Sequence, residues 1–376
     1  MTKSWKQALS KILQNAQRDF SGGYPHYTDP DTGTWVTLPP EQTGCLQGGK
    51  WTHGNWTAGF WPGILWLSYA YTKEEKFRKW ALRSIEPLKA RVRDNNTHDI
   101  GFLFYPSFVL GFELTSDQEL KETALLAADI LAGRFISEGK YLQAWGPSDD
   151  PNLMGSSTID TMMNIPLLWW AYDQTGNEKY YNIAKVHAKT TLLNMIREDN
   201  SSIHLVMYKP ESGQLIEEKT FQGYSNSSCW ARGHSWAICG FTFAYEHTGD
   251  EEFYNAACVL SDYFIERLPN DHIPFWDFDD PAIPRSPKDS SAAAIGAYGM
   301  LKLGNLAGEY SAKYAKSAQY ILTSLNNNYV DHDNLTEGIV NHGCYSNPHK
   351  EGVDSCLIFG DYFYLNALNQ ESSYSF

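Results

Sequence analysis

At 376 residues, 42% hydrophobic and 14% aromatic, the chain can bury a large core without help from disulfides. A net charge of −14 excludes a nucleic-acid binder, because no basic stripe exists to neutralise phosphates. It does not exclude an anionic small substrate, which one well-placed cation can hold.

Met1-Thr2-Lys3-Ser4-Trp5-Lys6 lacks the apolar segment of a secretory signal, and no apolar run reaches membrane length. Cys45, Cys229, Cys239, Cys258, Cys344 and Cys356 form no CxxC pair. They read as mostly free thiols, so a cytoplasmic protein with no membrane partner is expected.

Along the chain, polar Gly-rich stretches at 21–55, 94–101, 145–158, 200–234 and 266–291 alternate with apolar helical patterns. Within the fourth stretch, His204-Leu205-Val206-Met207-Tyr208 suits a short strand. The helical patterns share a repeated turn. Tyr172-Asp173-Gln174-Thr175-Gly176-Asn177-Glu178-Lys179-Tyr180 matches Tyr245-Glu246-His247-Thr248-Gly249-Asp250-Glu251-Glu252-Phe253. Tyr69 to Phe77 fits the same frame, and Thr115 to Leu120 is a weaker copy. Gly closes one helix in the left-handed region, and Asn or Asp caps the next. The copies recur about every 59 residues, which predicts roughly six helical hairpins. Closed in a ring, they make an all-α (α/α)6 barrel, a single catalytic domain over 1–376 whose long loops form a cleft at one end. An open solenoid is the alternative.

Three chemistries find little support. No HExxH is present, His98-Asp99 and Asp331-His332-Asp333 lack further spaced ligands, and no metal site is expected. Gly-rich phosphate loops are absent. Gly233-His234-Ser235-Trp236-Ala237 grazes the nucleophile elbow but ends in Ala.

Asp160 stands out, a lone acid entering the apolar helical pattern through Trp170. Burial would raise its pKa, as a general acid needs, whereas a helix N-cap would lower it; the residues alone leave the two readings even. Asp99, in Asn95-Asn96-Thr97-His98-Asp99-Ile100-Gly101, divides between an N-cap and a carboxylate for sugar hydroxyls. Gln222, Trp230, Arg232 and Trp236 open another helix, with indole faces beside a cation. Each of these is individually more often structural than functional.

Taken in order, these segments resemble the unsaturated glucuronyl hydrolases, glycoside hydrolase family 88. The pieces are Asn55-Trp56-Thr57-Ala58-Gly59-Phe60-Trp61-Pro62-Gly63, His98-Asp99-Ile100-Gly101-Phe102, Gln143-Ala144-Trp145-Gly146-Pro147 and Ile159-Asp160 through Trp170. They continue with Gln222-Gly223-Tyr224, Trp230-Ala231-Arg232-Gly233, Trp276-Asp277, Asp289-Ser290-Ser291-Ala292 and Gly360-Asp361-Tyr362-Phe363-Tyr364. The resemblance implies the same barrel and a cofactor-free reaction. Polysaccharide lyases leave a C4=C5 double bond on the terminal uronic acid. Asp160 would protonate C4 and activate water for C5, so that the bond breaks by hydration rather than displacement.

Asp99 matches the second acidic position. His98, Trp56, Trp145, His204, Gln222, Trp230, Arg232 and Trp236 match the substrate site, with Trp residues as walls and Arg232 as a carboxylate partner. Ser346 matches a serine of members that prefer sulfated substrates, but Glu351 falls on their lysine, with Lys350 one place off. The loop at Cys45-Leu46-Gln47-Gly48-Gly49 looks longer than usual. The expected partner is an unsaturated oligosaccharide, bound by a monomer or weak homodimer. Alternatives are an unsaturated rhamnogalacturonyl hydrolase, a sugar 2-epimerase-like barrel or a non-catalytic sugar binder. The 2-epimerase needs a histidine pair that is not found at the right spacing.

Overall fold

A computed structural model describes residues 2–17, 23–47, 50–52, 54–306 and 311–372. Gly48 and Gly49 of the longer loop lie outside the described residues. The chain forms two compact units interleaved in sequence. Unit 1 comprises Met1–Thr37, Arg197–His204 and Thr220–Phe376; unit 2 comprises Leu38–Ile196 and Leu205–Lys219.

The helices are α1 (Lys3–Ala16), α2 (Phe60–Thr72), α3 (Glu75–Ile85), α4 (Ile100–Phe104), α5 (Leu110–Thr115), α6 (Gln118–Ala132), α7 (Pro166–Thr175) and α8 (Glu178–Met195). They continue with α9 (Ala231–Thr248), α10 (Glu251–Arg267), α11 (Ser290–Asn305), α12 (Ser311–Ser324) and α13 (Ile358–Ser372). The strands are short: β1 (Tyr24–Thr28), β2 (Trp35–Leu38), β3 (Cys45–Gln47), β4 (Lys50–Thr52), β5 (Phe135–Ile136), β6 (Tyr141–Leu142) and β7 (Ser156–Thr158). After them come β8 (Leu205–Tyr208), β9 (Leu215–Lys219), β10 (Gly343–Ser346) and β11 (Glu351–Ser355).

In unit 2, α2 packs on α3, α4 and α5 pack on α6, and α7 packs on α8. In unit 1, α9 packs on α10, and α11 packs on both α12 and α13. Among the described residues the predicted hairpins are therefore five, with α1 and α13 as single helices near the two chain ends and α13 packed on α11. Helix α1 is fixed by residues far downstream. Lys11 Nζ donates to Asp331 Oδ2 at 2.5 Å, and Asn15 donates to the Glu337 carbonyl at 2.8 Å.

The repeated turn behaves as its chemistry requires. Lys73, Ser116, Gly176 and Gly249 all take positive φ, between 59° and 68°. Each preceding Thr hydroxyl (Thr72, Thr115, Thr175, Thr248) donates to the carbonyl four residues back, at 2.6–2.7 Å. It also accepts the amide two residues on. Asp117, Asn177 and Asp250 cap α6, α8 and α10. Only Glu74, before α3, caps nothing with its side chain. Phe77, Leu120, Tyr180 and Phe253, which end the copies, are all buried. Phe253 stacks on Phe241 and so joins α10 to α9.

Two local irregularities shape the loops. A π turn at Tyr105–Val109 joins α4 to α5, where Pro106 has no amide hydrogen to continue the helical ladder. The expected strand at Leu205–Tyr208 is present as β8. It pairs antiparallel with β7, with Thr158 opposite Leu205, and so fixes the chain just before Asp160.

Candidate active site

Unit 2 brings together five of the residues singled out from sequence: Trp56, His98, Asp99, Trp145 and Asp160. The loop before α4 is held by buried charges. Arg91 pairs with Asp94 at 2.7 Å. Arg134, which follows α6, donates to the carbonyls of Gln143, Ala144 and Gly146 at 3.0–3.2 Å and also to that of Asn95. One side chain thus ties the 95–99 loop to the 143–146 loop. Thr97 bridges Trp145 in the same place. Trp56 packs on Phe102 with ring centroids 5.2 Å apart and on Phe60 at 6.2 Å.

His98 is fully buried. Its Nδ1 is 2.7 Å from Thr161 Oγ1, and its Nε2 is 3.4 Å from Asp99 Oδ1. Burial pulls the imidazole down to about 4, outweighing the nearby carboxylate of Asp160, so the ring is neutral at pH 7. Asp99 occupies the N-cap position of α4, but its side chain makes no cap bond. Instead, Oδ2 accepts from Thr97 Oγ1 at 2.7 Å.

Asp160 is not a cap either. Thr158 holds the cap position of a 3₁₀ turn at Ile159–Met163, and Asp160 lies in its first turn. The apolar helix expected to start at Asp160 starts at Pro166. Asp160 Oδ1 is buried, with the Thr158 hydroxyl beside the carboxyl. Burial raises the pKa of this carboxyl, and the charge of Asp99 raises it further, while His98 opposes them. The even choice between cap and buried acid thus falls to the acid.

Donor atoms of His98, Asp99 and Asp160 lie within 4.8 Å of one another. Groups this far apart in the chain leave no spacing signature in the sequence.

Unit 1 carries the other predicted residues. His204 Nδ1 faces Thr220 Oγ1 at 3.1 Å and accepts from the amides of Phe221 and Gln222 at 3.2 and 3.4 Å. These two donors place the ring proton of neutral His204 on Nε2. Its ring lies 4.4 Å from that of Trp230. Gln222 Nε2 donates to the Tyr345 carbonyl at 2.8 Å.

Arg232 and Trp236 sit deeper than their positions in sequence suggest. Arg232 Nη1 and Nη2 are engaged within the protein, while its Nε is buried with no hydrogen-bond partner. The residue is 1% exposed, pairs with Asp289 at 2.8 Å and donates to the carbonyls of Cys344 and Tyr345 at 2.5 Å each. Its guanidinium lies over the Trp230 ring at 4.6 Å. Trp236, expected to form a wall, is buried against Phe359 and Phe363. Trp236 is the sixth residue of α9, where a side chain leans back over the first turn, and here that face is core.

Asp289 caps α11 through Ser291 and Ala292 while holding Arg232. Ser346 and Lys350 flank the turn between β10 and β11, where Ser346 pairs with Glu351. Ser346 Oγ bonds His349 Nδ1 at 2.7 Å, and Lys350 Nζ bonds Asn347 Oδ1 at 2.9 Å.

Sequence reasoning passed over Arg134, Thr161 and Asn164. Arg134 gave no signal. Asn164 gave one, as an amide inside an apolar run that a surface position would not explain.

The Glycosyl Hydrolase Family 88 model matches residues 34–375. The chain is 38% identical over 372 residues to an unsaturated chondroitin disaccharide hydrolase of Streptococcus pneumoniae, covering 96% of this chain and 90% of that one. The crystal structure of the unsaturated glucuronyl hydrolase of Bacillus sp. GL1 superposes with a TM-score of 0.88 at 33% identity, covering 97% of this chain and 96% of that one. A Streptococcus agalactiae unsaturated glucuronyl hydrolase mutant complexed with dGlcA-GalNAc6S superposes with a TM-score of 0.77 at 29% identity, covering 97% and 90%. The fold class shared with these structures is the all-helical (α/α)6 barrel.

Proposed function

This chain belongs to glycosyl hydrolase family 88, and from that premise we propose that it releases a terminal Δ4,5-unsaturated glucuronic acid from lyase-generated, glycosaminoglycan-type oligosaccharides. The observation that carries the reading is the Asp160 carboxyl, its Oδ1 buried, beside Asp99 and neutral His98. Burial raises the pKa of this carboxyl and so favours the protonated form that can give its proton to C4 of the vinyl ether. The resulting carboxylate then takes a proton from water as the water adds to C5. The hemiketal opens, the glycosidic bond breaks, and the product rearranges to a keto acid. No metal or organic cofactor enters these steps.

In this reading, within unit 2, Asp99 and His98 hold ring hydroxyls, and Trp56 and Trp145 supply apolar walls. Within unit 1, Trp230 supplies a wall, His204, through its Nε2 proton, and Gln222 contact hydroxyls or the attacking water, and Arg232 packs against the Trp230 ring. We treat 1–376 as one catalytic domain, since the chain passes between the two units repeatedly. Five of the six cysteines are buried as free thiols, which favours a reducing cytoplasm. No helix among the described residues is long and apolar enough to cross a membrane. The assembly state we assign is a monomer or weak homodimer.

Reaction in heavy-oxygen water tests the chemistry. Label is expected at C5 of the released acid, with saturated glucuronides left intact. Label at an anomeric carbon would mean ordinary glycoside hydrolysis and sink the mechanism.

The same reading predicts weak preference for sulfate on the neighbouring sugar. A sulfate needs a cation and hydroxyl donors in place of its water. Ser346 is already engaged by His349, Lys350 by Asn347, and Glu351 adds a negative charge to the turn. Two unit charges about 4 Å apart interact by roughly 1 kcal/mol in water and 4 near a protein surface. Equal kcat/KM, within about threefold, is expected for sulfated and unsulfated unsaturated chondroitin disaccharides. A tenfold preference for the sulfated one, abolished by Lys350→Ala, would show that Lys350 takes the cation's place.

A further inference from the structure

We propose that Thr161 and Asn164 are positioning residues that tie the Asp160 turn to the Asp99 segment and set the separation of the two carboxyl groups. This rests on the reading that Asp99 and Asp160 are the reacting pair.

Two cross-links carry the inference. Asn164 Oδ1 accepts from the Phe102 amide at 2.7 Å, and its Nδ2 donates to the Asp160 carbonyl at 3.2 Å. One planar amide therefore grips the backbone three residues after Asp99 and the backbone of Asp160 itself. Thr161, next to Asp160, bonds Nδ1 of His98, next to Asp99, at 2.7 Å. Asn164, Thr161 and His98 are each 0% exposed, so water cannot replace these bonds.

Packing closes the remaining freedom. A Cβ on Gly101 would lie 2.3 Å from Asn164 Cα, so only glycine lets the two segments approach this closely. The two aspartate-bearing segments are therefore joined at two points, through Asn164 and through Thr161.

The titratable groups around this junction are His98, Asp99 and Asp160, with Arg134 and His187 behind His98. If the tie loosens, the carboxyls separate and water reaches Asp160. Both changes lower its pKa, so the basic limb of kcat/KM moves to lower pH.

Thr161→Val keeps shape and removes the hydroxyl; Thr161→Ser keeps the hydroxyl. Thr161→Val is expected to lose about tenfold or more in kcat, with KM changed less than threefold and the basic limb shifted to lower pH. Thr161→Ser should restore both the kcat and the limb. Asn164→Ala should show the same pattern more strongly; if it fails to fold, the Thr161 pair decides alone. Equal kcat and unmoved limbs in Thr161→Val and Thr161→Ser would overturn the proposal, even if Tm falls. An Asp160→Asn enzyme with full activity would instead remove the underlying reading, so the two failures are distinguishable.

Discussion

Asp160→Asn is expected to abolish turnover while leaving fold and substrate affinity intact. Asn is nearly isosteric but cannot donate and retake a proton, which removes general acid–base catalysis worth roughly 10²–10⁴-fold. Stability should follow the opposite course. Burial raises the Asp160 pKa in the folded protein. The wild type is therefore favoured at low pH, where the proton stays on, and loses that share as pH rises through the folded pKa. A neutral amide escapes this loss, so the variant should match or exceed wild-type stability at neutral pH. Loss of absorbance of the unsaturated uronate, substrate calorimetry and urea unfolding between pH 5 and 8 measure the three quantities. Near wild-type turnover would exclude Asp160 as the proton carrier.

Arg232→Met should act mainly on stability. The Arg232–Asp289 pair is 1% and 0% exposed, and Asp289 also caps α11. Removing the guanidinium strands a buried carboxylate, and breaking such a pair costs about 3–5 kcal/mol. That is a large part of the roughly 5–15 kcal/mol that holds a folded domain together. The urea midpoint should fall sharply, and activity at low temperature should survive in the fraction that remains folded. A variant with unchanged unfolding and a KM raised a hundredfold would return Arg232 to the role of substrate-carboxylate partner.

What the sequence revealed followed the range of the interactions. The turns at Thr175-Gly176-Asn177 and Thr248-Gly249-Asp250 are built from bonds spanning two to four residues, so their chemistry could be read directly. The helical architecture followed from their spacing, although α1 and α13, near the two chain ends, are single helices that carry no copy of the turn. Asp160 and Asp99 were identifiable as acids in unusual company. Their state was not, because it depends on His98, Thr161 and Arg134, which only folding brings near. The ion-pair partner of Arg232 was hidden for the same reason: Asp289 lies 57 residues away. Trp236 carried the right residue type for a sugar wall, but the aromatic rings of α13 claim it first.

The dependence of α1 on residues near the far end of the chain also sets an order of events at the ribosome. Lys11 meets Asp331 only after 320 further residues have been made. At about 5–20 residues per second that interval lasts on the order of tens of seconds. The continuous Leu38–Ile196 stretch of unit 2 leaves the ribosome within that time, and its contacts are largely between successive helices. Helix α1 meanwhile waits with Trp5, Leu9 and Ile12 uncovered, an apolar stripe exposed in the nascent chain. Helix α1 is thus buried long after it is made, and the interval before Asp331 emerges is when the growing chain is most open to chaperone capture and to aggregation.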